Sequence, residues 1–451
     1  MPAPRHVRKD LRAVYGDGVG YSVMVGAGET YIPAFALALG MSEVLAGWIV
    51  SIPLLLGATL QLVSPLVIQR LQSHRKWVIA CAGAQAVCCS GFVVMALVHG
   101  LPPLLLFVIA TLYWGTGMAS GPAWNTWVGT LVPRRVRAAY FARRSRGCQA
   151  AVLLGLVGAG LALHFGTGAE AVLFVFASLF VVAALSRAGS TWCLWQQSEP
   201  HPMPRNHRIV GPREIFRRAR RGRNGRLLTY MLAVQFAVQI SGPFFTPYML
   251  GELDFSYLKY LAIIATAYIA KMVALPFLGS AARRFGSAWL LYATGAGIVP
   301  LSALWIFSES TGYLLALQIV GGCVWAGYEL ATLLLLFDHI HESERTSVLT
   351  VFNLANAAAW VAGALLGGLL LKLLGADRAA YHVIFAVSCG ARIIAIVFIA
   401  GLRRVEFRPR PLAMRVLGVR PNAGSISAPI VTSLATPENG GAPETTEDSR
   451  A

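Results

Sequence analysis

Charge is scarce in this chain. Only 13% of its 451 residues are Asp, Glu, Lys or Arg, and the acids number just 20. An average soluble domain carries about a quarter of its residues as charges, so a water-exposed globular enzyme or binding module does not fit. Cysteine is sparse as well. There are seven, with no C-x-x-C pair, and Cys81, Cys88, Cys89, Cys323 and Cys389 lie in apolar stretches. They read as small packing residues, with neither a disulfide framework nor a metal site. No P-loop and no long polar domain is present, which argues against a nucleotide-driven machine. No paired Asp and no His/Glu set occurs within the apolar stretches, so no enzyme activity and no cofactor are expected. His339 and His341 stand at i and i+2 and point apart on a helix, which speaks against a metal there.

What the chain has instead is apolar length, with 56% of its residues hydrophobic. About 20 apolar residues cross the hydrocarbon core as a helix. Twelve stretches meet that need, at about 16–39, 43–68, 77–98, 104–132, 148–165, 169–186, 227–250, 256–278, 288–307, 311–337, 347–373 and 379–402. The basic residues are sorted between them. All but five of the 38 Lys and Arg fall in every second gap, counting from the N-terminus. Of the five, Lys259, Lys372 and Arg378 sit in opposite gaps, and Lys271 and Arg392 lie inside spans. Basic clusters stay on the side from which a span inserts, so both termini are expected in the cytoplasm and the chain in a cytoplasmic (inner) membrane. The net charge of +18 then belongs to loops facing anionic headgroups. No nucleic-acid-binding motif accompanies it.

The spacing divides the chain into a cytoplasmic N-terminus (1–15), a six-helix bundle (16–186), a basic loop (187–226), a second six-helix bundle (227–402) and a polar tail (403–451) read as disordered. In the loop, PREIFRRARRGR reads equally as a basic amphipathic helix on the inner leaflet or as a solvated linker. The halves echo each other at a spacing of about 210 residues. VSPLVIQRLQSHRKWVI matches ALPFLGSAARRFGSAWLL in position and character, and PRRVRAAYF matches HESERTSVLTVF. Six-plus-six repetition points to two bundles around a shared midplane cavity.

The short basic turns after the second and eighth spans carry the most specific likeness to a known family. The later turn reads Gly279, Ser280, Ala281, Ala282, Arg283, Arg284, Phe285, Gly286, and the earlier one keeps Arg70, Arg75 and Lys76. These turns and the twelve-span layout resemble the major facilitator superfamily over about residues 12–404. The family's turn motif has the form G-x-x-x-D-R-x-G-R-R. Arg283 stands where its Asp is usual, and the earlier turn has no acid. Gly115 and Gly117 match a family pair in the fourth span, but Thr111 takes the position of the Arg found in proton-linked members. The Gly-Pro pair of drug antiporters is missing from LLGLVGAGLALHF. The resemblance implies an all-α polytopic fold of twelve transmembrane helices in two six-helix bundles.

Ionisable groups inside spans are costly and mark pathways. Glu29, in GAGETYIP, falls near the midplane and is a candidate proton carrier, a seat for a cationic substrate, or an interhelical hydrogen-bonding carboxyl. Lys271 and Glu329 lie at equal depth, roughly 12–14 Å from the basic face at 1.5 Å per residue. They suit an ion pair that either lines the cavity or ties two helices. Gln61, Asn125, Gln235, Gln239, Asn353 and Asn356 fall at similar depth. Each alone is explained by a helix–helix bridge, and together they suit a polar chamber for an organic solute. Trp114, Trp124 and Trp127 are candidate stacking surfaces. Arg392, in the last span, reads as packing or snorkelling. The expected function is secondary transport of a small organic solute by a monomer, with proton coupling as the candidate energy source and efflux favoured. Uptake of a sugar or metabolite, or a non-transporting sensor on the same scaffold, are the alternatives.

Overall fold

The computed structural model of the chain describes residues 4–41, 43–98, 100–165, 169–199, 223–340, 342–375 and 377–400. Residues 200–222 of the basic loop, which hold all of PREIFRRARRGR but its last arginine, and the polar tail lie outside the described residues, as does His341. Among the described residues every regular element is helical. The first half contains α1 (Pro4–Ala27), α2 (Ile32–Ala38), α3 (Glu43–Leu60), α4 (Ser64–Leu71), α5 (His74–Leu97), α6 (Pro103–Leu131), α7 (Arg137–Phe165) and α8 (Ala169–Gln196). The second contains α9 (Arg223–Ser241), α10 (Tyr257–Phe285), α11 (Ser287–Ile298), α12 (Thr311–His339), α13 (Glu342–Leu374) and α14 (Arg378–Ala400).

Eleven helices among the described residues are long and apolar enough to cross a membrane. The first span, α1 with α2, fails that composition test because α1 carries Arg5, Arg8, Lys9, Asp10, Arg12 and Asp17. It is still the first of twelve spans in two six-helix bundles. The bundles bury less of their apolar surface than a soluble core would. Leu104, Leu154, Phe174 and Val397 are 67–73% exposed, as lipid-facing side chains should be.

Three breaks have local causes. Pro33 and Pro65 sit in the first turns of α2 and α4. A proline there has no N–H to bond back into a preceding turn, and short 3-10 turns at Glu29–Tyr31 and Gln61–Val63 precede both. Pro53, Pro122 and Pro276, by contrast, sit inside helices that continue. The ninth span was expected to be continuous over 288–307. It stops at Ile298 and resumes as the 3-10 turn Ala303–Ile306, because Pro300 lacks the N–H that would bond back into α11. The first and sixth spans run longer than hydropathy marked, starting at Pro4 and reaching Gln196. Hydropathy registers depth in hydrocarbon, whereas the helix continues for as long as its backbone is supported.

Within the first half, α1 packs on α7 and α8, α5 on α6 and α8, and α3 on α6. Within the second, α9 packs on α13 and α14, and α12 on α10 and α11. Glycines set the closest approaches. A Cβ on Gly155 of α7 would meet the backbone of Gly26 and Ala27, and one on Gly367 of α13 would meet the backbone of Ile240 in α9. The same happens at Gly57 of α3, against Gly115 of α6, and at Gly322 of α12, against Ala267 of α10. These pairs are the first and fifth spans against the seventh and eleventh, and the second and fourth against the eighth and tenth. The repeat read from sequence therefore extends to the helix crossings. The halves meet mainly through α7 with α10, and through α13 with α3 and α6.

Candidate functional site

Two carboxylates and one lysine populate the interior. Lys271 of α10 and Glu329 of α12 form an ion pair, with Nζ 2.7 Å from Oε1. Their side chains are 18% and 48% exposed, so the pair faces open space on the glutamate side. Glu29 lies in the first half, in the 3-10 turn ahead of Pro33, and its Oε2 accepts from Tyr113 Oη at 2.7 Å. Tyr113, on α6, is buried among Phe92 and Trp114. Tyr31, two residues on, donates to Leu156 O of α7 at 2.6 Å. The turn is thus tied to two neighbouring helices. The structure does not bring Glu29 to the Lys271–Glu329 pair; each bundle holds its own charged group.

The amides divide. Asn353 Nδ2 of α13 donates to Gln61 Oε1 across the bundle boundary at 3.4 Å. Gln61 is fully buried, and its Nε2 has no partner among the described residues. Asn125 spends its Nδ2 on Gly121 O of its own helix and leaves Oδ1 buried without a partner among the described residues. Gly121 itself faces Asn353. These three form a polar cluster where α6, α13 and the 3-10 turn after α3 meet. Gln235, Gln239 and Asn356 are half-buried and make no hydrogen bond to that cluster. The indole nitrogens of Trp124 and Trp127 donate to Asp17 Oδ2 and Ser198 O, both at the Arg-rich end.

That end is closed between the bundles. Arg137 Nη2, at the start of α7, donates to Gly129 O and Val132 O at the end of α6. Arg345 Nη2, at the start of α13, donates to Phe337 O and Ile340 O at the end of α12. Arg137 crosses to the other half, pairing with Asp338 at 3.4 Å and lying over Phe337. Phe141 stacks on Phe337, with ring centroids 5.2 Å apart. Thr346 Oγ1 sits 2.8 Å from Thr126 Oγ1 and 3.1 Å from His74 Nε2.

The basic turns divide in the same way. Gly279 is buried against Ala142 and Ala138 of α7, a contact between the halves. Arg283 and Arg284 are exposed, and among the described residues they engage local groups, Ser280 and Phe285. Gly286, at φ 92, makes the corner between α10 and α11 that a side chain rarely adopts. In the earlier turn Arg70 and Lys76 are exposed, and Arg75 Nη2 holds Trp195 O at 2.6 Å.

Several residues here were not singled out from sequence. Glu199, just past α8, caps the start of α5, accepting from His74 N, Arg75 N and Ser73 Oγ. It puts a carboxylate at the very turn whose own sequence lacks one. Asp10 binds Ser198 N and Oγ. Asp17 gathers Arg144, Arg187, Ser190 and Trp124. The scarcity of acids was the available signal: each of these is one of only 20.

The sequence profile of the Major Facilitator Superfamily matches residues 19–258 and 227–435, and the chain belongs to that family. Solved structures share its fold at low identity. A bacterial homologue of the iron transporter ferroportin in the outward-facing state is 15% identical, with a TM-score of 0.63 over 88% of this chain and 99% of that one. The E. coli fucose:proton symporter FucP is 13% identical, with a TM-score of 0.69 over 88% and 99%. The human organic anion transporter MFSD10 (TETRAN) is 15% identical, with a TM-score of 0.62 over 88% and 100%. No curated protein matches the chain. The chain is a multi-pass membrane protein with the architecture of secondary transporters.

Proposed function

We propose that the chain is a secondary transporter that moves a small organic solute by alternating access, with the halves 16–186 and 227–402 rocking about a chamber between them. The observation that carries this reading is the Lys271–Glu329 pair, a lysine and a glutamate from two packed helices of a transporter fold, with the glutamate half exposed. Holding these charges in a membrane is costly, and a pair that can open to bind solute or take up a proton gives that cost a function. The closed Arg-rich end is the cytoplasmic side in this reading, with both termini on it, and the chamber faces the other side. The charge sorting supports that orientation. Efflux is the favoured direction, on the apolar and aromatic character of the interior. Among proteins that share the fold, FucP is a fucose:proton symporter, which supports coupling to protons through Glu29 or Glu329.

The test is accumulation in proteoliposomes under an imposed proton gradient. Candidate solutes are organic cations and sugars, and each membrane orientation is read separately. Coupling through the carboxylates requires that Glu29→Gln or Glu329→Gln abolish gradient-driven accumulation while leaving solute binding detectable. Unchanged accumulation in both variants would sink the coupling, and movement of none of the solutes would favour a non-transporting sensor.

A further inference from the structure

Arg392 was expected to pack or to snorkel. It sits in α14 with 3% of its surface exposed, so the charge does not reach an interface. It has no carboxylate partner among the described residues. Its Nη1 donates to Ile298 O at 2.9 Å and its Nη2 to Ser241 Oγ at 3.2 Å. Its Nε has no partner among the described residues. Ser241 is held ready for this task, because Ser388 Oγ lies 3.0 Å from it and in turn donates to Ala237 O. Neutral oxygens alone leave a full positive charge uncompensated in a low-dielectric interior, where isolated ions are strongly penalised.

The guanidinium also borders a cavity of about 350 Å³, whose wall includes Ser302, Gln318, Phe245, Trp305 and Trp325. This is within the range of roughly 300–1,000 Å³ common for small-ligand sites. The broken stretch of the ninth span contributes Leu301, Ser302 and Trp305 to the wall. Ser302 is fully buried, and its hydroxyl has no partner among the described residues. Two polar groups short of partners, one of them cationic, therefore border one cavity. The rest of its wall is largely aromatic and aliphatic, with Phe245 tilted against Trp305 and backed by Phe385, on which it stacks. None of the residues proposed for the solute path lines it.

We propose that this cavity, inside the second bundle, is a binding site for a small organic anion. Its carboxylate is held by Arg392 and Ser302, and its apolar body lies against Phe245, Trp305 and Trp325. The chemistry is complementary in both parts. A carboxylate supplies the missing negative charge and the acceptor lone pairs, and an aromatic or aliphatic body fills a wall that water satisfies poorly.

Benzoate, benzamide and chloride are the probes, applied to the purified full-length protein in detergent and read by thermal unfolding and tryptophan fluorescence. Benzoate is expected to raise Tm saturably, as any ligand of the folded state does, and to quench fluorescence. Its neutral isostere benzamide and chloride at equal concentration are expected to do neither. Arg392→Gln should lose the shift. Ser302→Val, which keeps the charge, should weaken apparent affinity several-fold and decides the case if the arginine variant does not fold. Trp305→Phe should reduce the quench while retaining the thermal shift. Lys271→Gln, which alters the central chamber, should keep the benzoate response and so separates this site from the solute path. A shift of equal size with benzamide or with chloride, no response to benzoate, or full retention of the response in the arginine and serine variants would overturn the proposal.

Discussion

Arg137 and Arg345 hold equivalent posts in the two halves of the chain. Each guanidinium binds the carbonyls eight and five residues before it, and both lie over the ring of Phe337, at 5.1 and 5.6 Å. The last carbonyls of a helix have no intrahelical donor, and an arginine at the start of the next helix supplies one together with a favourable charge. Arg137 also reaches Asp338 in the opposite bundle, and Arg345 lies against Gly129 of α6, so both arginines stand at the seam between the halves.

Arg137→Ala is therefore expected to loosen the closed end. A hydrogen bond to a charged group contributes about 1.5–3 kcal/mol, and each 1.4 kcal/mol is roughly a tenfold change in an equilibrium. The readout is maleimide labelling of Thr346→Cys in a background with the seven native cysteines replaced. Its rate should rise about tenfold or more in the Arg137 variant, and equal rates in all backgrounds would remove the seam role.

The Lys271–Glu329 pair should show coupling in a double-mutant cycle. Either single change to Gln leaves one charge behind, while the double change leaves none. Because Glu329 is 48% exposed, solvent screening should hold each single loss to about 1 kcal/mol. Thermal unfolding of the three variants reads this directly. A double variant less stable than both singles would mean that the two residues act separately.

Glu199→Gln should destabilise the start of α5. The carboxylate accepts two backbone N–H groups and the Ser73 hydroxyl, and losing a helix cap of this kind costs about 0.5–2 kcal/mol. The expected signature is a lowered Tm together with faster proteolysis near residue 199. An unchanged Tm would show that the contact contributes nothing net.

Gly322→Val should be among the most damaging single changes in the second bundle. Its Cβ alone would stand 2.5 Å from the carbonyl oxygen of Ala267 and 2.9 Å from the Ala270 methyl. Overpacking costs about 1–3 kcal/mol, and here the obstacle includes backbone. Thermal unfolding, with Gly83→Val as the control because that position opens onto free space, checks the contrast.

Much of the architecture was legible in the sequence because its causes are local or periodic. Apolar length located the spans, and charge sorting located the basic turns. Equal depth on neighbouring spans brought Lys271 and Glu329 together on paper before they met in space. What escaped was non-local. Nothing near residue 199 announces that its carboxylate caps a helix that starts at residue 74. The break at Pro300 was passed over because proline is common in membrane spans and rarely stops one outright. Arg392 was read from its outer position in the bundle. Its burial depends on partners from two other spans, Ile298 O and Ser241 Oγ.

The glycine crossings bear on how such a chain tolerates change. Where Gly155 meets Gly26 and Ala27, and Gly367 meets Ile240, no side chain stands between the helices to be trimmed or swapped. Those seams have almost no neutral neighbours in sequence space. Variation in what the protein recognises must therefore accumulate on the chamber walls and the lipid face, while the two bundles stay fixed as solid blocks.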